Sequence, residues 1–322
     1  MKGLIAAFGL CAVLLQAQQA VAQVPGDPLS WLGRIATAGQ RLNYSGTFIY
    51  QSGKNFETSR IVHMADANGE HERLEVLDGS PREVIRTNSE VRCVLPDQKT
   101  VIVDRPGGRR AFPSRLPASF AGLAENYRIR KGEVGRVAGL EAQLVVLEPK
   151  DDLRYGYQLW AELQSGLLLK ARTVDERGEI IEQFTFSDVK IGGDIGSEAF
   201  RPRYAKDGEW RVVHANGVEV GRDESGWRLN APLTGFSLMS IVRRPLGRDR
   251  GEALHLVYSD GLAAVSVFIE PADGAHAPIG PLASGAINIY KRMVGQHLVT
   301  ALGEVPLRTV QRLGDGIEPV TR

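Results

Sequence analysis

The feature that most constrains the fold of this chain is a long series of short strand-like runs. Runs such as NYSGTFIYQ, SRIVHM, KTVIVD and EAQLVVLEP alternate apolar and polar side chains or are rich in β-branched residues. Turn signals separate the runs, for example QSG at 51–53 and SDG at 259–261. Because consecutive strands joined by short turns pair with one another, this pattern predicts antiparallel sheet that curls through its own twist.

One strand-like run carries a side chain that does not fit simple alternation. In RYGYQLWAEL, residues 154–163, Tyr157, Leu159 and Ala161 fall on one face, and Trp160 falls on the other among polar residues. Successive side chains of a strand point to opposite faces, so Trp160 lies in the row that should meet water. A large indole in that row raises the question of whether the second face binds something.

Two segments have helical rather than strand periodicity. In DPLSWLGRIATAGQRL, Asp27 precedes Pro28 as a helix cap, and apolar residues then recur at helical spacing. Near the end of the chain, VPLRTVQRLGDG predicts one closing helix. The segment 105–123, RPGGRRAFPSRLPASFAGL, breaks the strand series and predicts a loop with one short helix around 118–124.

The chain opens with a segment typical of an export signal. Lys2 is followed by an apolar run at 4–15, which is too short to cross a bilayer as a helix, and AVA at 20–22 has the small residues of a cleavage site. We expect residues 1–22 to be removed as a signal peptide. The remaining chain is then expected to be a soluble protein of the periplasm.

A glycine-rich segment without periodicity divides the rest of the chain. Residues 190–209, KIGGDIGSEAFRPRYAKDGE, separate two β-rich regions. We therefore expect a first domain at 23–190, a linker at 191–209 and a second domain at 210–322.

Charge and cysteine content exclude some classes of protein. The full chain has 39 basic and 38 acidic side chains, and Lys2 is the only charged one in the signal segment. Removal of that segment therefore leaves equal numbers of basic and acidic side chains. A nucleic-acid-binding protein would carry a basic excess, so no nucleic-acid partner is expected. Cys93 is the only cysteine outside the signal segment, and it is interpreted as a small buried hydrophobe rather than a reactive thiol.

The sequence carries no specific signal for catalysis, a cofactor or a metal. Nucleophile-elbow, zinc-protease, CxxC and phosphate-loop motifs are all absent. His63 and His71 form a near pair around a predicted turn, but two histidines without further ligands favour solvent-facing hairpin residues over a metal site. We therefore expect a binding protein rather than an enzyme.

Two sets of residues are candidates for binding. Large side chains in otherwise polar rows predict an apolar groove on a curled sheet; the alternative is plain core beneath a helix. The groove candidates are Phe48, Tyr50 and Trp160. Arginines crowd two loops and suit phosphates or carboxylates, although ordinary solvated loops explain them as well. The arginine candidates for binding such groups on a ligand or partner are Arg109, Arg110, Arg243, Arg244 and Arg248.

Several strings, in order along most of the chain, resemble the MucB/RseB family. They are LDGSPREVIR at 77–86, YGYQLWAELQSGLLLKARTVDERGEIIEQFTF at 155–186, FSLMSIVRRP at 236–245, VYSDGLAAVSVF at 257–268 and GEVP at 303–306. Alignment is weakest at 105–125. The resemblance implies a mainly β, α+β protein: an unclosed antiparallel β-barrel with helices on its concave side, similar to LolA and LolB, followed by a smaller β-sheet domain with a helix.

The resemblance also implies a function. Such a protein binds the periplasmic region of a single-pass inner-membrane anti-sigma factor, shields it from site-1 proteolysis, and releases it on sensing lipopolysaccharide or envelope lipid. It thereby controls an envelope-stress sigma factor negatively. A ligand that prefers the free form would weaken partner binding by linkage. The alternatives are a periplasmic lipid or lipoprotein carrier, which has no need of a second domain, and an envelope hydrolase; a homo-oligomer is left open.

Overall fold

The protein is described here from a computed structural model, which covers residues 26–105, 122–204, 209–246, 251–272 and 278–320. Most of the described chain is strand. The three α-helices are α1 (Pro28–Arg41), α2 (Leu123–Asn126) and α3 (Leu307–Gly316), and 3₁₀ turns lie at Pro96–Gln98 and Ser197–Phe200.

A twelve-stranded sheet forms the larger part of the molecule. Its strands are β1 (Tyr44–Ser52), β2 (Asn55–Asp66), β3 (Gly69–Val76), β4 (Glu83–Arg86), β5 (Val91–Leu95), β6 (Thr100–Asp104), β7 (Tyr127–Val137), β8 (Leu140–Pro149), β9 (Gly156–Glu162), β10 (Leu168–Val174), β11 (Ile180–Ile191) and β12 (Arg211–His214). Their order in the sheet is β12-β6-β5-β4-β3-β2-β1-β11-β10-β9-β8-β7. In the described chain β12 and β7 are the two edges, so the sheet is unclosed, as the family resemblance implies.

Helix α1 forms where the sequence predicts it and packs on one face of this sheet. Asp27 caps it by accepting a hydrogen bond from the Ser30 backbone N–H at 2.9 Å, and Pro28 occupies the first turn. Trp31, Leu32 and Ile35 are buried against the sheet. Burying one stripe of an amphipathic helix on a sheet face is the standard way to build a core. We call α1, α2 and the twelve-stranded sheet the large unit.

The strand register decides which side chains lie beneath α1. Tyr50 pairs with Phe184, Phe184 pairs with Ala171, and Ala171 pairs with Leu159. Directly paired residues of neighbouring strands point to the same face. Because Leu159 and Ala171 belong to the apolar cluster of α1, we call this side the helix face of the large sheet.

A seven-stranded sheet and α3 form a second unit, which we call the small unit. Its order is β13-β15-β16-β17-β20-β19-β18, and β14 pairs with β21 in a separate two-stranded sheet. The strands are β13 (Val218–Glu219), β14 (Trp227–Leu229), β15 (Ser237–Pro245), β16 (Glu252–Ser259), β17 (Ala264–Pro271), β18 (Gly280–Ser284), β19 (Ile287–Val294), β20 (His297–Gly303) and β21 (Ile317–Pro319). The closing helix that the sequence predicts is confirmed as α3, which buries Val310 and Leu313 in the core of this unit.

Strand β12 crosses the boundary that the sequence analysis expects between the two regions. Residues 211–214 pair in parallel with β6 and so extend the large sheet, although the sequence analysis assigns them to the second domain. Only at β13 does the chain join the small sheet, where Val218 pairs with Arg243. Alternation of side chains identifies a strand but does not say which sheet it joins, which is why the sequence misses this placement.

Candidate functional site

Several aromatic side chains pack together on the helix face of the large sheet, around two of the predicted groove residues. Phe48 is buried, with its ring centroid 4.8 Å from that of Phe184 and 6.1 Å from that of Phe186. Tyr50 is half-buried and donates its hydroxyl to Glu182 Oε2 at 2.6 Å. Phe48 and Tyr50 therefore share one apolar surface, with Glu182 at its margin.

Trp160, the third predicted groove residue, points to the other face. It pairs directly with Lys170, whereas its neighbour Leu159 lies on the helix face. The Lys170 ammonium and the Arg172 guanidinium lie 5.0 and 5.3 Å from the centre of the indole. Burial and the charge of Arg172 lower the pKa of Lys170. The indole thus supports two cations rather than joining Phe48 and Tyr50 on the helix face, although it borders the same apolar cluster.

The cluster beneath α1 contains a side chain from the small unit. Trp31, Leu32 and Ile35 of α1 pack with Tyr127 and other sheet residues, and Leu262 from the β16–β17 turn packs against them. The exchange is reciprocal, because Leu153 from the β8–β9 loop is buried in the core of the small unit. Each unit therefore completes the apolar core of the other.

A buried charged contact lies between these two exchanged leucines. The Arg154 guanidinium, on the β8–β9 loop, has Nη1 3.5 Å from Asp260 Oδ2 and Nε 3.2 Å from Asp151 Oδ1. Its Nη2 donates to the Thr234 carbonyl at 2.7 Å, and the Tyr127 hydroxyl donates to Asp260 Oδ2 at 2.9 Å. The side chains of Arg154 and Asp260 are both 0% exposed. We call these five residues the boundary cluster.

The boundary cluster is held by local structure on both sides. Asp260 Oδ1 accepts from the backbone N–H groups of Leu262 and Ala263, so the same carboxylate shapes the turn that carries Leu262. Burial raises the pKa of Tyr127 well above its usual value, which keeps its hydroxyl protonated as a donor. Sequence reasoning predicts the turn at 259–261 but misses its contact with Arg154, since no local signal reports a pairing across two units.

Further contacts surround the boundary cluster at the junction. Thr309 Oγ1 donates to the Leu153 carbonyl at 2.6 Å, and Asn288 Nδ2 lies 3.1 Å from the Tyr155 hydroxyl oxygen. Arg308 binds Asp152 at 2.6 Å, and this hydrogen bond lowers the pKa of the exposed Asp152 carboxyl. The loop 150–155 is thus the main element that the large unit inserts into the small unit.

A cleft of about 450 Å³ opens beside the inserted Leu153. The segment 230–234 forms one wall, and Arg312, Asp315 and Glu318 contribute charged groups. Its lining mixes apolar side chains, among them Leu153 and Leu233, with charges of both signs. The cleft lies at the junction and not in the predicted groove.

A second charged cluster fixes the segment that the sequence analysis expects to be a linker. Arg73 lies between Glu75 and Glu83, hydrogen-bonding both, and Arg203 binds Glu75 through its guanidinium and Glu83 through its backbone N–H. Arg73 also donates to the Ala199 carbonyl at 3.4 Å. We call Arg73, Glu75, Glu83 and Arg203 the linker cluster. It attaches part of 191–209 to the face of the sheet opposite the helix face.

The predicted arginine sites are only partly described. Arg243 Nε is 3.7 Å from Glu252 Oε2, and Arg244 Nη1 donates to Asp104 at 3.2 Å and to the Ala215 carbonyl at 2.7 Å. Arg244 therefore joins β15 to the edge of the large sheet. Arg109, Arg110 and Arg248 lie outside the described residues.

The two histidines of the predicted hairpin lie on opposite faces of the sheet. His63 pairs with Glu72, and His71 pairs with Met64. The expectation that both face solvent is wrong for His63, which is buried, stacks on Tyr44 at 4.9 Å and has Nδ1 2.8 Å from the Leu42 carbonyl. Cys93 is half-buried between Val84 and Ile102, and burial raises the pKa of its thiol.

Within the described ranges, no group of three or more histidine, cysteine, aspartate or glutamate side chains is arranged to hold a metal ion. In the same part of the chain, no helix combines the length and apolar character that crossing a bilayer requires.

Comparison of the sequence with protein families gives matches to both units. The profile of the MucB/RseB N-terminal domain matches residues 27–204, and that of the MucB/RseB C-terminal domain matches residues 221–318. The sigma factor AlgU regulatory protein MucB of Pseudomonas aeruginosa is 32% identical, with 91% of each chain covered. The sigma-E factor regulatory protein RseB of Haemophilus influenzae is 26% identical, with 88% of each chain covered.

Solved structures agree with the sequence comparison. A crystal structure of MucB in complex with MucA(peri) has a TM-score of 0.72 and 29% identity, covering 92% of this chain and 100% of that chain. A crystal structure of MucB has a TM-score of 0.66 and 27% identity, covering 91% and 98%. These matches confirm the resemblance that the sequence strings indicate. The chain belongs to the MucB/RseB family.

Proposed function

We propose that this protein is a periplasmic regulator that binds the periplasmic region of a membrane anti-sigma factor. Binding shields that factor from site-1 proteolysis and so controls an envelope-stress sigma factor negatively. The observation that carries this proposal is the similarity, over nearly the whole chain, to a MucB crystallised with MucA(peri). The relatives named above are regulatory proteins, and we assign no catalytic activity to this chain.

The proposal assigns partner binding to the small unit. A protein that only carried lipid would need one apolar sheet, whereas this chain has a second sheet with its own core. Since β12 extends the large sheet, we place the start of the partner-binding domain after residue 214 rather than at 210. Residues 191–209 then lead into β12 of the large sheet, and 215–217 connect the two units.

The proposal assigns lipid sensing to the helix face of the large unit. Phe48 and Tyr50 lie on the helix face beside the cluster that α1 buries, so an acyl chain of lipopolysaccharide or another envelope lipid would enter there by displacing some of that packing. Arg109, Arg110 and Arg248 stay candidates for headgroup binding through bidentate contacts. Trp160 lies on the other face, so we leave it out of this groove.

The experiment that tests the partner is co-purification of the tagged full-length protein from its own envelope extract, with and without purified lipopolysaccharide. We expect recovery of a single-pass inner-membrane protein, and less of it when lipopolysaccharide is added. Recovery of many lipoproteins without that membrane protein would instead support the carrier.

A pair of neighbouring substitutions tests the lipid surface. Phe48→Leu should weaken the response to lipopolysaccharide, because Phe48 is on the helix face. Ile49→Leu should leave the response unchanged, since Ile49 points to the opposite face and is 37% exposed. Equal responses in both variants, with both proteins folded, would contradict the assignment of the groove.

A further inference from the structure

We propose that the boundary cluster couples lipid occupancy beneath α1 to the affinity of the small unit for its partner. The cluster consists of Tyr127, Asp151, Arg154, Thr234 and Asp260. This inference rests on the function proposed above and deepens it, because it names the contact through which one unit acts on the other.

Tyr127 belongs both to the apolar cluster beneath α1 and to the boundary cluster. Its ring is part of the apolar cluster beneath α1, together with Trp31, Leu32 and Ile35. Its hydroxyl donates to Asp260 of the small unit at 2.9 Å. A guest that displaces the packing beneath α1 therefore moves the ring whose hydroxyl binds Asp260.

Asp260 stabilises the turn that contains Leu262. The two backbone N–H groups of 262 and 263 donate to Asp260 Oδ1 at 2.9 and 2.8 Å. Leu262 packs on the same cluster beneath α1. A guest in that cluster consequently competes with Leu262 for its place and acts on the β16–β17 turn from two directions.

Arg154 connects Asp260 to the core of the small unit. Its guanidinium lies 5.1 Å from the centre of the Phe236 ring and donates to the Thr234 carbonyl. The preceding residue, Leu153, is buried in that core, where α3 holds its carbonyl through Thr309. Loss of the Asp260 contact thus loosens the loop that anchors α3 and the segment 230–234.

The contact between Arg154 and Asp260 is suited to form and break. Separating the two units hydrates Arg154 and Asp260 together, so neither charge is left buried alone. The Coulomb attraction of a buried pair is largely offset by the desolvation of its members, so the pair itself adds little to the difference in free energy between the closed and open states. An element with two states of similar free energy is what coupling between two sites requires.

The test measures coupling as a ratio of dissociation constants. The full-length protein is titrated with the periplasmic region of its own MucA-type partner, with and without purified lipopolysaccharide. Asp260→Asn is the test variant, because the amide oxygen can still accept from the turn while the charge toward Arg154 is lost. Asp66→Asn is the matched control: Asp66 Oδ1 accepts from the backbone N–H groups of Asn68 and Gly69 in the β2–β3 turn.

The expected results separate this inference from the function on which it rests. In the native protein and in Asp66→Asn, lipopolysaccharide should weaken partner binding on the order of tenfold, whereas in Asp260→Asn the ratio should fall below about twofold. A ratio in Asp260→Asn equal to that of the native protein would overturn the coupling and leave the proposed function intact. Absence of partner binding in the native protein would overturn both.

A second variant keeps the test decisive if Asp260→Asn unfolds. Tyr127→Phe retains the ring in the cluster beneath α1 and removes only the hydroxyl that binds Asp260. We expect it to reduce the lipopolysaccharide ratio while the melting temperature changes little. A purely structural role would instead lower the melting temperature and leave the ratio unchanged.

Discussion

The two charged clusters both place an arginine between two carboxylates, but they join different parts of the chain. In the linker cluster, Arg73, Glu75 and Glu83 all come from the neighbouring strands β3 and β4, and only Arg203 comes from the linker. In the boundary cluster, Arg154 belongs to the large unit and Asp260 to the small one. In the first, Arg73 and both carboxylates lie within one sheet; in the second, the contact of Arg154 with Asp260 exists only when the units are in contact.

This difference shows what each buried charge can do. Glu75 and Glu83 are directly opposite each other in the sheet, so Arg73 neutralises a repulsion that the fold itself creates. Arg154 and Asp260 are forced together only by docking of the units, and separation returns both to water. The linker cluster therefore stabilises a fixed structure, whereas the boundary cluster is suited to a change of state.

The largest effect is expected from Arg73→Met. The side chains of Glu75 and Glu83 are 4% and 0% exposed, so loss of Arg73 leaves two buried carboxylates facing each other with the largely exposed Arg203 as their remaining arginine partner. We expect the free energy of unfolding to fall by about 3–5 kcal/mol in urea unfolding followed by circular dichroism. The control is Arg92→Met, because Arg92 of β5 forms a half-exposed pair with Glu90. This variant should change the free energy of unfolding little. Equal losses of stability in the two variants would show that the buried contacts of Arg73 stabilise the protein no more than an exposed ion pair does.

The next effect is expected from Asp260→Ala. This variant removes the partner of Arg154, the acceptor of Tyr127 and the cap of the β16–β17 turn, but Arg154 keeps Asp151 and the Thr234 carbonyl. We expect the free energy of unfolding to fall by about 2–3 kcal/mol, measured in the same way. Asp66→Ala removes a similar turn cap at an exposed hairpin and should cost less. A larger loss from Asp66→Ala would mean that the turn, and not the boundary, is what Asp260 stabilises.

A smaller effect is expected from Arg203→Ala. Its side chain is 58% exposed, and Arg73 remains to neutralise Glu75 and Glu83. Overall stability should change little, while chymotrypsin should cleave near Phe200 faster because one attachment of the linker is lost. Arg201→Ala, at an exposed position of the same segment, is the control. Unchanged cleavage in Arg203→Ala would show that this arginine does not fix the linker.

The smallest effect is expected from Arg308→Ala. Arg308 binds Asp152 at 2.6 Å and Glu176 at 3.3 Å across the two units, but all three side chains are largely in water. Exposed ion pairs contribute little because water and salt screen them. Melting temperature and the radius of gyration from solution scattering should match those of the native protein. A loss as large as that of Asp260→Ala would show that exposed charges, and not the buried pair, hold the units together.

Much of the fold follows from local sequence signals. Asp27-Pro28 and the apolar spacing after it predict α1, and the turn residues at 51–53 and 259–261 predict hairpins that the structure contains. These signals work because caps and tight turns depend on residues close in sequence. The pairing of β1 with β11 has no such signal, because it joins strands far apart in the chain.

The candidate site was less predictable for the same reason. Alternation correctly separates Leu159 from Trp160, but it does not say that two cations lie over the indole. Arg154 lies in a run that reads as a strand, whereas the structure places it in a loop whose partner, Asp260, is in the other unit. Burial of His63 likewise depends on Tyr44 and Leu42 packing around it, which a hairpin pattern does not encode.

The return of the chain to the large sheet at β12 has a mechanical consequence. Residues 211–214 are tied to β6, and β13 begins at Val218, so in the described chain the backbone that joins the two units outside any strand is 215–217. Even this pivot is restrained, since Arg244 holds the Ala215 carbonyl and a Cβ at Gly217 would overlap Val242. The glycines of 191–209 therefore do not set the reach of the small unit. Movement of the small unit relative to the large one is confined to rotation about this short segment.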